Sequence, residues 1–200
     1  EENCDFRNNV IYNWGGNNVY AGEGGRYNIV SNYYKSGPYS IRTSIVNPFK
    51  KEPTIPFGKF YVWGNVVEGS PVVTNDNWVG VVMNDGNEND KNLAKLTEAI
   101  PVVPIAAESA EKAYKHVLQD VGAVLPARDT LDQRIIRDVE NRTGKFIDVQ
   151  GGYPHGTPYE MTINAWPALA AGTAPADTDQ DGMPDAWEKQ HGLDPNNATD

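Results

Sequence analysis

Five carboxylates in the last quarter of the sequence have a spacing that suits a metal cation. Asp177, Asp179, Asp181, Asp185 and Glu188 occupy positions 1, 3, 5, 9 and 12 of a segment whose sixth residue is glycine. Calcium binds six to eight oxygen ligands at roughly 2.3–2.6 Å, which a chain supplies when alternate side chains point inward around a sharp turn. The pattern predicts a calcium-binding loop. The alternative, a solvated acidic segment, has no reason to keep this spacing.

The same pattern assigns a role to each position. Gly182 permits the turn, Met183 offers its backbone carbonyl, Asp185 makes a direct or water-mediated contact, and Glu188 gives both carboxylate oxygens from the first turn of a helix. The predicted ligands are Asp177, Asp179, Asp181, Met183, Asp185 and Glu188.

A single loop of this kind is usually structural, because a calcium sensor needs a helix pair that can move. The loop resembles an EF-hand loop and the aspartate-rich loops of thrombospondin type 3 repeats and dockerins, which belong to secreted proteins. Pro184 departs from paired sensor loops, and a dockerin would need a second loop, which weighs against docking. We therefore expect a rigid, calcium-dependent clasp.

Composition limits the possible partners. The chain has 200 residues and a net charge of −10, with +2 on residues 1–59 and −12 on residues 60–200. Nucleic-acid binding requires clustered Lys and Arg, so we expect no nucleic-acid partner, and only the first third of the chain has the charge to bind a polyanion.

The sequence shows neither a membrane span nor a leader peptide, so any signal peptide is expected to be removed or to lie outside the segment. The lone Cys4 cannot form an internal disulfide.

Short strands with a recurring asparagine fill residues 3–83. Asn9, Asn32 and Asn65 each precede an apolar pair, at separations of 23 and 33 residues. Such spacing favours the coils of a parallel β-helix, in which equivalent asparagines would form a hydrogen-bonded ladder. The alternative is an antiparallel sandwich with Asn-rich turns.

The rest of the chain predicts helices and loops. We expect a loop or strap over residues 84–106 and helices over residues 109–121 and 130–142, the second with Leu131, Ile135, Ile136 and Val139 inward. The predicted organisation is residues 1–105 as coils and strap, 106–150 as two capping helices, 151–175 as loop, and 176–200 as the calcium loop with a short helix. The fold class is mainly β: a right-handed parallel β-helix, in its C-terminal coils, with packed α-helices.

Several strings together resemble the C-terminal part of a bacterial, Bacteroidetes-type pectate lyase of polysaccharide lyase family one. They are residues 5–15 (DFRNNVIYNWG), 26–38 (RYNIVSNYYKSGP), 113–123, 128–139 and 179–195. The resemblance spans most of the chain.

The resemblance implies an enzyme that cleaves de-esterified homogalacturonan by β-elimination. In that family calcium bridges enzyme aspartates and the uronate carboxylate, and an arginine removes the C5 proton. The family's catalytic strings, such as Arg-x-Pro-x-Arg, do not occur in residues 1–200. The resemblance therefore places the base and the catalytic-calcium aspartates before Glu1, and assigns no catalytic residue here. The segment alone is expected to be inactive, and the preceding part of the same protein becomes an expected partner.

This segment can contribute residues that bind the pectate substrate. Arg7, Arg26, Lys35 and Arg42 lie on or beside the predicted strands and could pair with uronate carboxylates of pectate; the alternative for each is a solvated surface charge. The family implies a secreted protein, or one of the bacterial surface or periplasm. A non-catalytic module that binds glycan, or a calcium-stabilised structural module, remains the second hypothesis.

Overall fold

The computed structural model describes residues 2–125, 127–168 and 172–200. The chain divides into two compact units, Glu1–Trp166 and Pro167–Asp200. The finer boundaries at residues 105, 150 and 175 stay predictions. Among the described helices, none combines the length and the apolar character that crossing a bilayer requires.

Eight short strands of the first unit form three parallel sheets. The strands are β1 (Asn3–Arg7), β2 (Val10–Tyr12), β3 (Val19–Ala21), β4 (Arg26–Val30), β5 (Tyr33–Lys35), β6 (Val46–Pro48), β7 (Lys59–Trp63) and β8 (Val66–Val67). Sheet A has the order β1-β4-β7, sheet B the order β2-β5-β8, and sheet C joins β3 to β6. Every strand pair is parallel. The prediction of parallel strands is confirmed, and the antiparallel sandwich is wrong for these strands.

The chain visits sheets A, B and C in rotation, and we call each round a circuit. The first circuit is β1 to β3, the second is β4 to β6, and the third begins with β7 and β8. Val81 completes the third circuit by a parallel bridge to Val46 in sheet C. Each strand therefore lies beside the equivalent strand of the previous circuit.

In-register pairing stacks like residues inside the unit. Phe6 pairs with Ile29, which pairs with Val62, while Tyr27 pairs with Phe60. Alternate side chains of a strand point to opposite faces, so these apolar rows share the inner face of sheet A. The rings of Tyr27 and Phe60 stack with their centroids 5.0 Å apart. Ile29 and Phe60 are fully buried, which makes this face part of the core.

One strand has no clear signal in the sequence. β6 consists of Val46, Asn47 and Pro48, and the last two are poor strand formers. All three residues are buried, and Val46 belongs to the core cluster. Packing against the neighbouring circuits therefore outweighs local propensity here.

The predicted asparagine ladder is present and has one more member than expected. The Asn9 side-chain amide donates to Asn32 Oδ1 at 2.9 Å, and Asn32 donates to Asn65 Oδ1 at 3.0 Å. Asn65 in turn donates to Oδ1 of Asn77 at 3.0 Å. Asn32, Asn65 and Asn77 are almost fully buried. Asn77 escaped prediction because it begins a 3₁₀ turn and follows Asn65 by only 12 residues, much less than the spacing of the other ladder asparagines.

The turn before each strand of sheet B depends on a left-handed residue. The residues that precede the first three ladder asparagines are Asn8, Ser31 and Gly64, with φ angles of 56°, 52° and 69°. Asparagine and glycine tolerate this conformation better than most residues. The sharp turn lets sheets A and B follow each other within two residues.

A strap crosses the outer face of sheet A. The backbone N–H of Ile100 donates to Asn28 Oδ1 at 2.9 Å, and the Asn28 amide donates back to the Ile100 carbonyl at 3.1 Å. Further along, Asn8 donates to the Glu108 carbonyl at 2.9 Å. The sequence predicted only a loop or strap over residues 84–106. The prediction is wrong for residues Glu88–Ala94, which form helix α2. A capping box between Asn87 and Asp90 stabilises the N-terminus of this helix.

Two of the remaining helices match the sequence closely. The third circuit contains α1 (Pro71–Asn75), and beyond α2 lie α3 (Ala110–Asp120) and α4 (Thr130–Asn141). Ser109 caps α3 as expected, and α4 ends where Arg142 adopts a left-handed conformation, two residues before Gly144.

The inner face predicted for α4 is only partly buried. Of its four predicted inward residues only Val139 is buried, and Ile135 is 48% exposed. The second unit holds α5 (Asp185–His191).

The ladder generates a stability prediction. Asn65→Ala removes the acceptor for the Asn32 backbone and side-chain N–H groups and leaves these buried donors unpaired. Because each unsatisfied buried group costs roughly 1–3 kcal/mol, we expect the free energy of unfolding to fall by about 3 kcal/mol. Urea denaturation followed by circular dichroism measures this. The control Asn17→Ala, at an exposed site, should change the value by less than about 0.5 kcal/mol. An unchanged midpoint for Asn65→Ala contradicts the prediction.

Candidate functional site

The loop of residues 177–188 is folded around its own carboxylates. Asp177 accepts hydrogen bonds from the backbone N–H groups of Gln180 at 2.8 Å and Gly182 at 3.1 Å. Asp181 accepts one from Met183 at 2.7 Å. Gly182 has a φ of 97°, which favours glycine. The sharp turn expected at this glycine is therefore present.

Three of the predicted ligands converge. One carboxylate oxygen from each of Asp177, Asp179 and Asp181 lies within 4.8 Å of the other two. It is the one such group of acidic, histidine or cysteine side chains found among the described residues. Like charges this close repel, so the arrangement favours a positively charged occupant.

Two side chains of the loop have buried oxygens without any hydrogen-bond partner. Both carboxylate oxygens of Asp179 and both of Glu188 are of this kind, and Glu188 is fully buried. Burial, then the charges of Asp179 and Asp181, raises the pKa of the Glu188 carboxyl above its ordinary value. Burial and the nearby charge of Asp181 also raise the pKa of Asp179. A buried carboxylate without a donor is costly unless a cation compensates it.

Helix α5 places Glu188 in the loop. The helix begins at Asp185 after Pro184, which cannot continue the preceding backbone hydrogen bonds, and it ends at Gly192, whose φ is 80°. Glu188 lies in the first helical turn, and its backbone N–H bonds to the Pro184 carbonyl at 3.1 Å. The structure places Glu188 in the first turn of a helix, as the sequence predicted.

Asp185 is held differently from the other carboxylates. Its Oδ1 accepts from the Thr178 backbone N–H at 2.7 Å, and its Oδ2 accepts from the Thr178 hydroxyl at 2.8 Å. These bonds, the hydroxyl first, lower the pKa of Asp185. Thr178 was not among the residues that the loop spacing predicted. A hydrogen-bonding residue at loop position 2, facing an aspartate at position 9, was the available signal.

The donor set fits a hard divalent cation. Asp179 and Glu188 offer four unpartnered oxygens, while Asp177 and Asp181 bring further carboxylate oxygens to the same loop. All of these ligands are oxygens, which is the preference of calcium; zinc prefers nitrogen and sulfur. The residues that would hold the ion are therefore present, and three of them, Asp177, Asp179 and Asp181, converge.

The four basic residues predicted to bind substrate do not form one cluster. Arg7 and Arg26 lie on sheet A, Lys35 on sheet B, and Arg42 in the exposed loop that leads to sheet C. Whether any of them contacts a substrate stays a prediction.

Two of these basic residues already have partners. Arg7 binds Asp5 through two nitrogens, at 2.5 and 2.6 Å, and this interaction lowers the pKa of Asp5. The Lys35 ammonium lies 2.9 Å from the hydroxyl of Tyr114 in α3 and 3.7 Å from Glu68. Lys35 is only 6% exposed.

Lys35 belongs to a network that the sequence did not indicate. The Tyr33 and Tyr114 rings stack with centroids 4.5 Å apart, and Arg142 binds Glu68 at 2.9 Å. Sheet B, α3 and the end of α4 meet in this network. Its residues are far apart in the chain, so no spacing rule could have joined them.

The buried charge of Glu188 gives a prediction for the metal-free protein. With divalent cations chelated, Glu188→Gln removes an uncompensated buried charge and adds donors that can reach neighbouring carboxylates. We expect slower hydrogen–deuterium exchange of the backbone over residues 177–191 than in the unmodified chain. The control Glu98→Gln, at an exposed site in the first unit, should leave that exchange unchanged. Faster exchange in Glu188→Gln would mean that the carboxylate has a stabilising partner.

Comparison with known proteins gives a consistent result. No protein-family model matches the chain. Three curated fungal relatives, each named "Probable pectate lyase C", align with nearly all of it. The relative from Neosartorya fischeri is 32% identical over 96% of the chain, that from Aspergillus fumigatus 33% over 96%, and that from Aspergillus terreus 33% over 97%.

The chain spans 43% of the length of each of these three relatives. Their names support a relation between this chain and pectate lyases, as the strings in the sequence indicated. The bacterial lineage expected from those strings stays a prediction.

Proposed function

We propose that this chain is part of a pectate lyase that cleaves de-esterified homogalacturonan by β-elimination. The observation that carries the proposal is the 32% identity over 96% of the chain to a relative named as a probable pectate lyase. Because the chain spans 43% of that relative, the activity belongs to the proposal for the whole protein.

The fold that we propose is a right-handed parallel β-helix with packed α-helices. Three parallel sheets visited in rotation, and an asparagine ladder along the turns from sheet A to sheet B, support it. A polymer can lie along such a stack of circuits and contact several of them at once, which suits an extended polysaccharide.

The catalytic arginine and the aspartates that hold the catalytic calcium are proposed to lie in sequence N-terminal to these 200 residues. No string of the Arg-x-Pro-x-Arg type occurs in the printed sequence. Arg26 and Arg42 have no ion pair with any other described residue, so they are the better candidates for uronate contacts. The partners of Arg7 and Lys35 favour a structural role for those two.

The loop of residues 177–188 is proposed to bind calcium as a structural clasp. Its proposed ligands are the side chains of Asp177, Asp179, Asp181 and Glu188 and the backbone carbonyl of Met183, and Asp185 borders the site through its hydrogen bonds to Thr178. When bound, the ion supplies positive charge that offsets the buried carboxylates. A polymeric substrate and a calcium requirement both suit a secreted protein or one at the bacterial surface or in the periplasm.

Calcium should stabilise the second unit. A ligand present at about 100 times its Kd, and bound only by the folded state, adds about 2.7 kcal/mol. We expect calcium to slow hydrogen–deuterium exchange over residues 177–191 in the unmodified chain and to have no effect in Asp179→Ala. The matched control Asp120→Ala, at an exposed site in the first unit, should respond as the unmodified chain does. Equal exchange with calcium and with chelator in the unmodified chain contradicts the clasp.

The lyase proposal is tested by product formation. Polygalacturonate is incubated with the 200-residue chain and, separately, with the full-length protein, and ultraviolet absorbance follows the unsaturated uronate product. We expect product from the full-length protein only. Product from the short chain would show that a base lies within it. Binding of polygalacturonate without product from the full-length protein would favour the non-catalytic glycan-binding module.

A further inference from the structure

Three hydrogen bonds that need no cation join the start of the loop of residues 177–188 to the start of helix α5. Asp185 accepts from the Thr178 backbone N–H at 2.7 Å and from the Thr178 hydroxyl at 2.8 Å. In the opposite direction, the Asp185 backbone N–H donates to the Ala176 carbonyl at 2.9 Å. Residues 176–178 are thereby fixed against the first residue of α5.

These bonds set Asp185 apart from Asp179 and Glu188. Each oxygen of Asp185 has a donor, whereas the four oxygens of Asp179 and Glu188 have none. Asp177 also accepts a hydrogen bond on each oxygen, but it belongs to the group formed with Asp179 and Asp181, and Asp185 does not. Among the five carboxylates of the loop, Asp185 alone is both hydrogen-bonded on each oxygen and outside that group.

The position of Asp185 in α5 determines where Glu188 lies. Residues three apart on a helix lie on neighbouring parts of the same face. When Thr178 holds Asp185, the same turn of α5 presents Glu188 to the interior of the loop, where it is fully buried. Without that restraint α5, only seven residues long, would be free to turn Glu188 toward water.

We propose that Thr178 and Asp185 are positioning residues of the loop: their hydrogen bonds hold α5 so that Glu188 meets the cation, and Asp185 is not itself a direct ligand. This inference rests on the proposed calcium site. It replaces the ligand role that the spacing alone gave to Asp185 with a role in preorganising the loop before the ion arrives.

Terbium provides the test, because it is a hard cation that prefers oxygen ligands and emits when a nearby indole is excited. Trp187 adjoins Glu188 and is the expected sensitiser. Terbium is titrated into the whole 200-residue chain to give a Kd, and calcium competition gives the calcium Kd. Emission lifetimes in H₂O and D₂O count the water molecules bound to the ion.

Thr178→Val removes the hydroxyl donor and preserves the shape of the side chain. We expect it to weaken terbium and calcium binding about tenfold, the weight of one hydrogen bond to a charged group, with an unchanged number of bound waters. Asp185→Ala should weaken binding by at least as much, again with the same number of waters. The double variant should lose less than the product of the two single effects, because both remove one interaction. Thr173→Val, an exposed threonine outside the loop, is the matched control and should bind as the unmodified chain does.

Two outcomes overturn the inference while leaving the calcium site intact. One is an unchanged affinity in Thr178→Val, and the other is an additional bound water in Asp185→Ala, which would identify Asp185 as a direct ligand. A third outcome, no sensitised emission and no calcium competition in the unmodified chain, would remove the proposed calcium site and the inference with it.

Discussion

The first unit depends on parallel pairing between short strands of successive circuits. The strands of sheets A, B and C contain only two to five residues, too few to be stable alone. Each strand forms its backbone hydrogen bonds with the equivalent strand of a neighbouring circuit. In sheets A and B the paired residues are 23 or 33 positions apart in the chain. The core rows and the ladder all require this same register, because a shift of one residue would turn the apolar rows outward.

The buried asparagines of the ladder and the buried carboxylates of the loop of residues 177–188 differ in how their polar atoms are satisfied. In the first unit the buried ladder amides of Asn32, Asn65 and Asn77 both donate and accept, so their burial costs little. In the second unit the loop buries carboxylates whose oxygens find no donor. The first arrangement is complete within the chain. The second places negative charge where a cation can complete it, and this contrast distinguishes a structural network from a site prepared for a ligand.

The sequence predicted those features that depend on local spacing. The asparagine recurrence anticipated the ladder, and Ser109 marked the start of α3. The loop pattern anticipated the convergence of Asp177, Asp179 and Asp181. Features that depend on packing or on distant partners escaped prediction. β6 ends in a proline and forms a strand because its neighbours bury it, and Lys35 meets Tyr114 across 79 residues of chain. Asp185 shows a third limit: spacing shows where a carboxylate lies but not which neighbour holds it.

The unequal lengths of the circuits have a consequence for how such a protein can vary. The first two steps of the asparagine ladder span whole circuits of 23 and 33 residues, and the same amide-to-amide hydrogen bond joins each pair. Much of the difference lies in the excursions that leave sheet B and return to sheet A, since the turns from sheet A to sheet B keep their length. We therefore expect insertions and deletions in those excursions to leave the register of the paired strands unchanged. The surface of the stack can vary in this way while the paired interior keeps its register.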